Sequence, residues 1–227
     1  FSMAIVDAWK DELGDAGEYV HWGATTQDVS DTALVLQIRE GLDAVERDLD
    51  AIATALERLT EEHAETPMMG RTHMVHAIPI TFGLKTATWL DEVNRHRERI
   101  DAMRDRVEVL EFFGATGTLA SLGDDGLAVQ DGLADELSLS VPDVAWFAAR
   151  DRIAETVATL SLVTSTLGRI AKQVLFMNRE ETGEVTEPHD EGAIGSSTMP
   201  HKRNPVKSEE TVLLGRRARA HVGTALE

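Results

Sequence analysis

The chain has 227 residues, 42% hydrophobic and 27% charged, which is the composition of a soluble globular protein long enough to bury a core. Acidic residues outnumber basic ones 40 to 22, and the resulting net charge of −18 argues against field-driven binding to nucleic acid or to an anionic membrane surface. There is no cysteine, so a disulfide scaffold, a thiolate zinc site and a cysteine nucleophile are all excluded.

No apolar run reaches the roughly 18 residues of a membrane span, and no basic-then-apolar leader opens the sequence, so a cytoplasmic location is expected. Lysine occurs only at 10, 85, 172, 202 and 207, while carboxylates such as Asp48, Asp50, Glu61 and Glu62 crowd the helical faces. That pattern fits a salt-adapted surface or simply a well-solvated acidic one. The sequence opens on Phe1-Ser2-Met3 in mid-pattern and stops at Glu227 within a helical stretch, as expected of a piece of a longer protein.

From Asp31 to Leu59 the residues Leu34, Ile38, Leu42, Val45, Leu49, Ile52, Leu56 and Leu59 recur at spacings of three and four. This predicts one long amphipathic helix, with Asp28, Ser30 or Asp31 at its start and Pro67 beyond its end. A second long helix is predicted to begin near Pro79 and to carry Leu90, Val93, Ile100, Met103, Val107 and Leu110 on one side. The glycines from Gly114 to Gly123 break it, and Leu127 to Leu137 reads as a shorter helix.

A third long helix is predicted from Asp151 to about Arg179, with Ile153, Val157, Leu160, Leu167, Ile170, Val174 and Met177 on one side. Thr182 to Asn204 shows no periodicity and reads as a long loop of the kind that is often functional. Val206 to Leu226 returns to a helical pattern. With no strand alternation the expected class is all-α, a long antiparallel helix bundle. Helices of about 30 residues extend ~45 Å, so side-by-side bundling continued into other subunits covers their stripes naturally, a monomeric bundle being the alternative.

Three segments carry chemistry-bearing residues. Thr25 and Thr26 stand together in Tyr19-Val20-His21-Trp22-Gly23-Ala24-Thr25-Thr26-Gln27-Asp28, just before the first long helix. Hydroxyls at a helix N-terminus either cap it or join its free N–H groups in binding a carboxylate. Met68-Met69-Gly70-Arg71-Thr72-His73-Met74-Val75-His76-Ala77 lies in the turn between the first two long helices. An imidazole there can give a proton to a departing amine. His73 and His76 could also form a weak metal pair, but no nearby carboxylate or thiolate completes a site, so no metal is expected. The third string is Gly195-Ser196-Ser197-Thr198-Met199-Pro200-His201-Lys202-Arg203-Asn204-Pro205. It offers two hydroxyls beside a movable glycine and a cation. A serine becomes a usable base only where donors stabilise its alkoxide away from water.

Taken together these strings resemble the fumarase/aspartase superfamily, whose members cleave C–N or C–O bonds beside a carboxylate, usually releasing fumarate. The resemblance covers essentially the whole chain, and implies that 1–227 is the central helical domain with its flanks, the small terminal domains being largely absent. It makes Ser196 the general base, with Ser197, Lys202 and Asn204 binding the substrate carboxylate or the aci-carboxylate intermediate. It makes His73 the general acid or its assistant, and places His21, Thr25 and Thr26 against the substrate. Glu209 matches a glutamate that pairs with a further histidine, which would lie before Phe1. The resemblance further implies no cofactor, a small dicarboxylate-bearing substrate, and a homotetramer with a twenty-helix core whose sites each draw these three segments from different subunits.

Two branches fit. Arg71-Thr72-His73 is similar to adenylosuccinate lyases. The His21 to Asp28 string, Gly117-Thr118-Leu119-Ala120-Ser121-Leu122-Gly123 and Trp146 with Arg150-Asp151-Arg152 are more similar to 3-carboxy-cis,cis-muconate cycloisomerases. The acid-bearing position constrains the chemistry more directly, so an adenylosuccinate-lyase-like reaction is the expectation. Two departures stand out: Thr26 where adenylosuccinate lyases have serine, and Phe147-Ala148-Ala149 where both branches have a substrate-holding glutamine. A non-catalytic paralogue of the same scaffold is the alternative from another class.

Overall fold

The computed structural model describes residues 2–188, 198–199 and 202–227, without the side chains of residues 2 and 3. Helices α1 (Ser2–Leu13), α2 (Thr26–Glu62), α3 (Phe82–Val107), α4 (Gly126–Leu137), α5 (Asp151–Met177), α6 (Val206–Ala220) and the short α7 (Val222–Ala225) dominate it. The expected all-α class is what the structure shows. Among the described residues there is one sheet, the antiparallel hairpin of β1 (Pro67–Thr72) and β2 (Val75–Thr81). None of the described helices is long and apolar enough to cross a membrane.

The chain folds as two compact units, residues 1–45 with 101–156 and residues 46–100 with 157–227. In the first unit the core gathers Val35, Val109, Leu110, Phe112, Leu119, Ala134, Leu139 and Trp146. Polar ties fix the start of α2 to this core. Thr32 donates its hydroxyl to the Glu111 carbonyl at 2.9 Å and accepts the Glu111 N–H at 3.1 Å. Arg150 grips Asp31 through two hydrogen bonds of 2.7 and 3.0 Å, the fork geometry that makes such pairs strong.

The buried line of α2 runs through Val35, Leu42, Leu49 and Leu56, a seven-residue repeat, with Ile38, Val45, Ile52 and Leu59 half-buried beside it. Along α3 the buried line is Thr86, Trp89, Val93, His96, Ile100, Met103 and Val107, again at spacings of three and four. Two of its members are polar, so the apolar pattern alone understates it.

In the second unit His96 is accommodated by partners. Arg99 can only donate, so its 3.2 Å contact makes His96 Nδ1 an acceptor and leaves Nε2–H to donate to Thr166 Oγ1 at 2.8 Å. Thr166 then donates to Glu92 Oε1 at 2.5 Å. Burial, and then the Arg99 charge, hold the His96 pKa below its ordinary value, consistent with this neutral imidazole.

Two boundaries and one buried face differ from expectation. The segment expected as a plain turn is the hairpin, and Pro79, expected to open a helix, sits in β2 opposite Met69. The helix starts at Phe82 because Thr81 caps it, its hydroxyl accepting the Leu84 N–H at 3.1 Å. On α5 the expected apolar row of Ile153, Val157, Leu160, Leu167, Ile170, Val174 and Met177 is only half-buried apart from Met177, while Thr156, Thr159, Val163 and Thr166 are buried.

Candidate active site

The first unit holds His21, Thr25 and Thr26 in one turn. The Thr25 N–H donates to Asp28 Oδ2 at 2.8 Å, the reach-back of a capping box three residues into α2. Asp28, 2% exposed, also accepts the Phe113 and Gly114 N–H groups at 3.1 and 3.0 Å. The cap is therefore Asp28, which frees the two threonines for other work. Neither hydroxyl has a hydrogen-bond partner among the described residues, and Thr26 is exposed at the helix N-terminus while Thr25 is half-buried.

Gly114 makes this arrangement possible. It has φ +75°, and a Cβ there would come within 2.7 Å of the Gly23 carbonyl oxygen. His21 has φ +67°, unusual for a residue with a side chain, and its Nε2 is buried with no partner among the described residues. Phe147, where the resemblance leads one to expect glutamine nearby, contributes its carbonyl to Gln27 Nε2 at 2.8 Å.

The second unit holds His73, Lys202, Asn204 and Glu209. His73 and Met74 form the two-residue turn of the hairpin, with φ of +48° and +66°. That is the backbone of a primed turn, which usually takes Asn and Gly. Both side chains are exposed, so the imidazole projects from a strained tip. Strain of this kind is concentrated at functional positions. Below the tip the strand register shifts between Met69 and Arg71. Gly70 sits at the irregularity, and a Cβ there would meet the Ile78 carbonyl oxygen at 2.5 Å.

Arg71 forks onto Glu184 at 2.9 and 2.8 Å, tying the hairpin to the segment after α5. Arg71, Thr72, His76, Lys85 and Glu184 share the lining of a cavity of about 980 Å³. Lys85 is half-buried there and rests near the Trp89 ring, 5.7 Å from its centroid. Burial lowers its pKa from the ordinary lysine value. Lys202 is exposed, Asn204 half-buried, and Glu209 exposed in the first turn of α6. Ser196 and Ser197 lie outside the described residues.

Sequence reasoning missed Glu184 and Glu187. Glu187 accepts the N–H groups of Lys207 and Ser208 at 3.1 and 2.8 Å, capping α6 in place of Pro205. Neither residue belongs to a periodic pattern, and their partners lie 113 and about 20 positions away, so no local signal marked them. Among the described residues no group of three or more His, Asp or Glu side chains is placed to hold a metal ion.

A protein-family model described as a lyase matches residues 3–219. N-acetyl-S-(2-succino)cysteine lyase from Dickeya dadantii is 46% identical over 207 residues, 91% of this chain and 46% of its own. Adenylosuccinate lyase from Pyrococcus abyssi is 43% identical over 99% of this chain and 50% of its own. The crystal structure of 3-carboxy-cis,cis-muconate lactonizing enzyme from Pseudomonas putida superposes with a TM-score of 0.90 at 41% identity, covering 98% of this chain and 51% of that one. The chain thus spans about half the length of the curated relatives it matches.

Proposed function

The chain belongs to the fumarase/aspartase superfamily of lyases, and from that premise we propose that it is the central helical part of an enzyme catalysing anti β-elimination beside a carboxylate. The reaction is adenylosuccinate-lyase-like: a C–N bond to a succinyl group breaks and fumarate leaves. The observation that carries this reading is His73, a proton donor held exposed at a strained hairpin tip.

Ser196 takes the proton from the carbon beside the carboxylate. Lys202 and Asn204, with Ser197, receive the charge that develops on that carboxylate. His73 gives a proton to the departing nitrogen. Thr25 and Thr26, with the α2 N–H groups, bind a second carboxylate, and His21 contacts the same substrate. Glu209 supports a histidine supplied by the rest of the protein. The chemistry uses no metal or organic cofactor. The working protein is a cytoplasmic homotetramer whose sites draw on several subunits.

The second reading is the lactone chemistry of a 3-carboxy-cis,cis-muconate cycloisomerase, favoured by the framework strings around His21, Gly117 and Trp146. Incubating the full-length protein with adenylosuccinate and with 3-carboxymuconate, and following each chromophore, separates the two. Loss of the adenylosuccinate absorbance is expected. Turnover of the muconate alone favours the second reading, and turnover of neither by an intact oligomer favours a non-catalytic paralogue. Ser196→Ala is expected to lose activity by about 10²–10⁴-fold while still binding substrate, and an unchanged rate removes Ser196 as the base.

A further inference from the structure

Residues 184–188 have no regular secondary structure, yet they are anchored on three sides within the second unit. The Glu184 and Val185 N–H groups donate to the Met177 carbonyl, at 2.9 and 3.4 Å, at the end of α5. The Glu184 carboxylate holds Arg71 on β1 through the paired 2.8 and 2.9 Å bonds, with both side chains largely shielded, 26% and 20% exposed. The Glu187 carboxylate takes the first free N–H groups of α6. Pro188 follows directly, and a residue before proline is steered away from helical backbone, which keeps Glu187 from continuing a turn.

The positions of these anchors matter more than their number. Arg71 is two residues before His73, and Lys207 is five residues after Lys202 and three after Asn204. We propose that Glu184 and Glu187 are positioning residues that make 184–188 a splint, fixing the base of the His73 hairpin and the start of α6 to one short stretch of backbone.

Physical chemistry supports each joint. A forked Arg–carboxylate pair resists bending because two parallel bonds must break together. A carboxylate on helix N-terminal amides satisfies two donors that the helix cannot, and sits at the positive end of the dipole. Because the carboxylates are three residues apart on the same segment, loosening one joint frees the other to move. Neither carboxylate touches the reacting atoms in this role; each acts through the element it holds. The kinetic consequence rests on the elimination reading above, whereas the mechanical consequence does not.

Amide hydrogen exchange of the full-length protein tests the mechanical claim. Glu184→Gln and Glu187→Gln are each expected to speed exchange several-fold over both 67–81 and 206–210. If each variant loosens only its own anchor, or neither loosens anything, the splint is refuted. Kinetics supply the second arm: kcat is expected to fall on the order of ten- to a hundredfold in both variants, with KM changed less than about twofold. Glu187→Ala should fall further than Glu187→Gln, since the amide keeps one acceptor for α6. Fast exchange at both anchors with kcat untouched overturns the positioning role. If Ser196→Ala retains its rate, the elimination reading fails by itself, and the exchange result still decides the splint.

Discussion

Burial sets the chemistry of Glu111. It is 1% exposed, its Oε2 accepts the Trp146 N–H at 3.0 Å, and its Oε1 has no partner among the described residues. Loss of hydration pushes its pKa from 4.5 to about 7, against the pull of the Trp146 N–H and Arg150, with Asp28 and Asp31 adding repulsion. The folded chain therefore holds this proton more tightly than the unfolded one. Its contribution to stability is fully present below pH 4.5, falls as the pH rises, and is gone above about 7. Glu111→Gln removes that decline. Urea unfolding of the full-length variant is expected to show a gain over the parent of about 1–3 kcal/mol at pH 8 and little gain at pH 4.5. Parallel pH profiles for the two proteins would disprove the buried-proton account.

The hairpin shows what a short element can hide. Its turn places Met74 at φ +66° with the residue 72% exposed, so it carries backbone strain with little burial to offset it. Met74→Gly relieves that strain and is expected to stabilise the fold by about 1 kcal/mol, read as a higher thermal midpoint. A lower midpoint would mean that Met74 contributes packing that exceeds the strain.

The same hairpin explains which parts of the architecture were legible. The long helices were, because Leu42, Leu49 and Leu56 repeat over many turns and fall on the buried line. The strands were not: six and seven residues long, with β2 exposed along most of its length, they show no alternation, and a His-Met turn carries no glycine or asparagine signal. The buried line of α3 was only partly legible, since Thr86 and His96 belong to it through hydrogen bonds rather than hydrophobicity. The chemistry-bearing residues proposed for the site stand in contiguous strings, which is why a sequence can nominate them. The capping role of Asp28 was read correctly in kind, but its hold on Phe113 and Gly114 spans more than 80 positions. The Arg71–Glu184 pair was invisible for the same reason.

At the scale of the whole molecule, α5 is the informative element. The row Val157, Leu160, Leu167, Ile170 and Val174 remains half-buried in the single chain, and Leu162 and Phe176 are 51% and 38% exposed beside it. Such a row is costly to leave in water and, in the proposed homotetramer, is covered by other copies of the protein. Leu160→Glu with Ile170→Glu in the full-length protein is expected to shift sedimentation from the tetramer to smaller species while helical circular dichroism is retained. In the proposed assembly each site draws on several subunits, so activity should fall with the tetramer. Charge then sets the conditions under which the assembly holds. Each chain carries −18 over these residues, so like-charged copies repel, and the repulsion reaches about 10 Å in 0.1 M salt but about 3 Å in 1 M. Raising KCl between those concentrations is expected to tighten the parent tetramer, read as a lower protein concentration at half-dissociation. Dissociation that increases with salt would instead mean that ion pairs between subunits outweigh their net repulsion, and that attraction between opposite charges carries the interface.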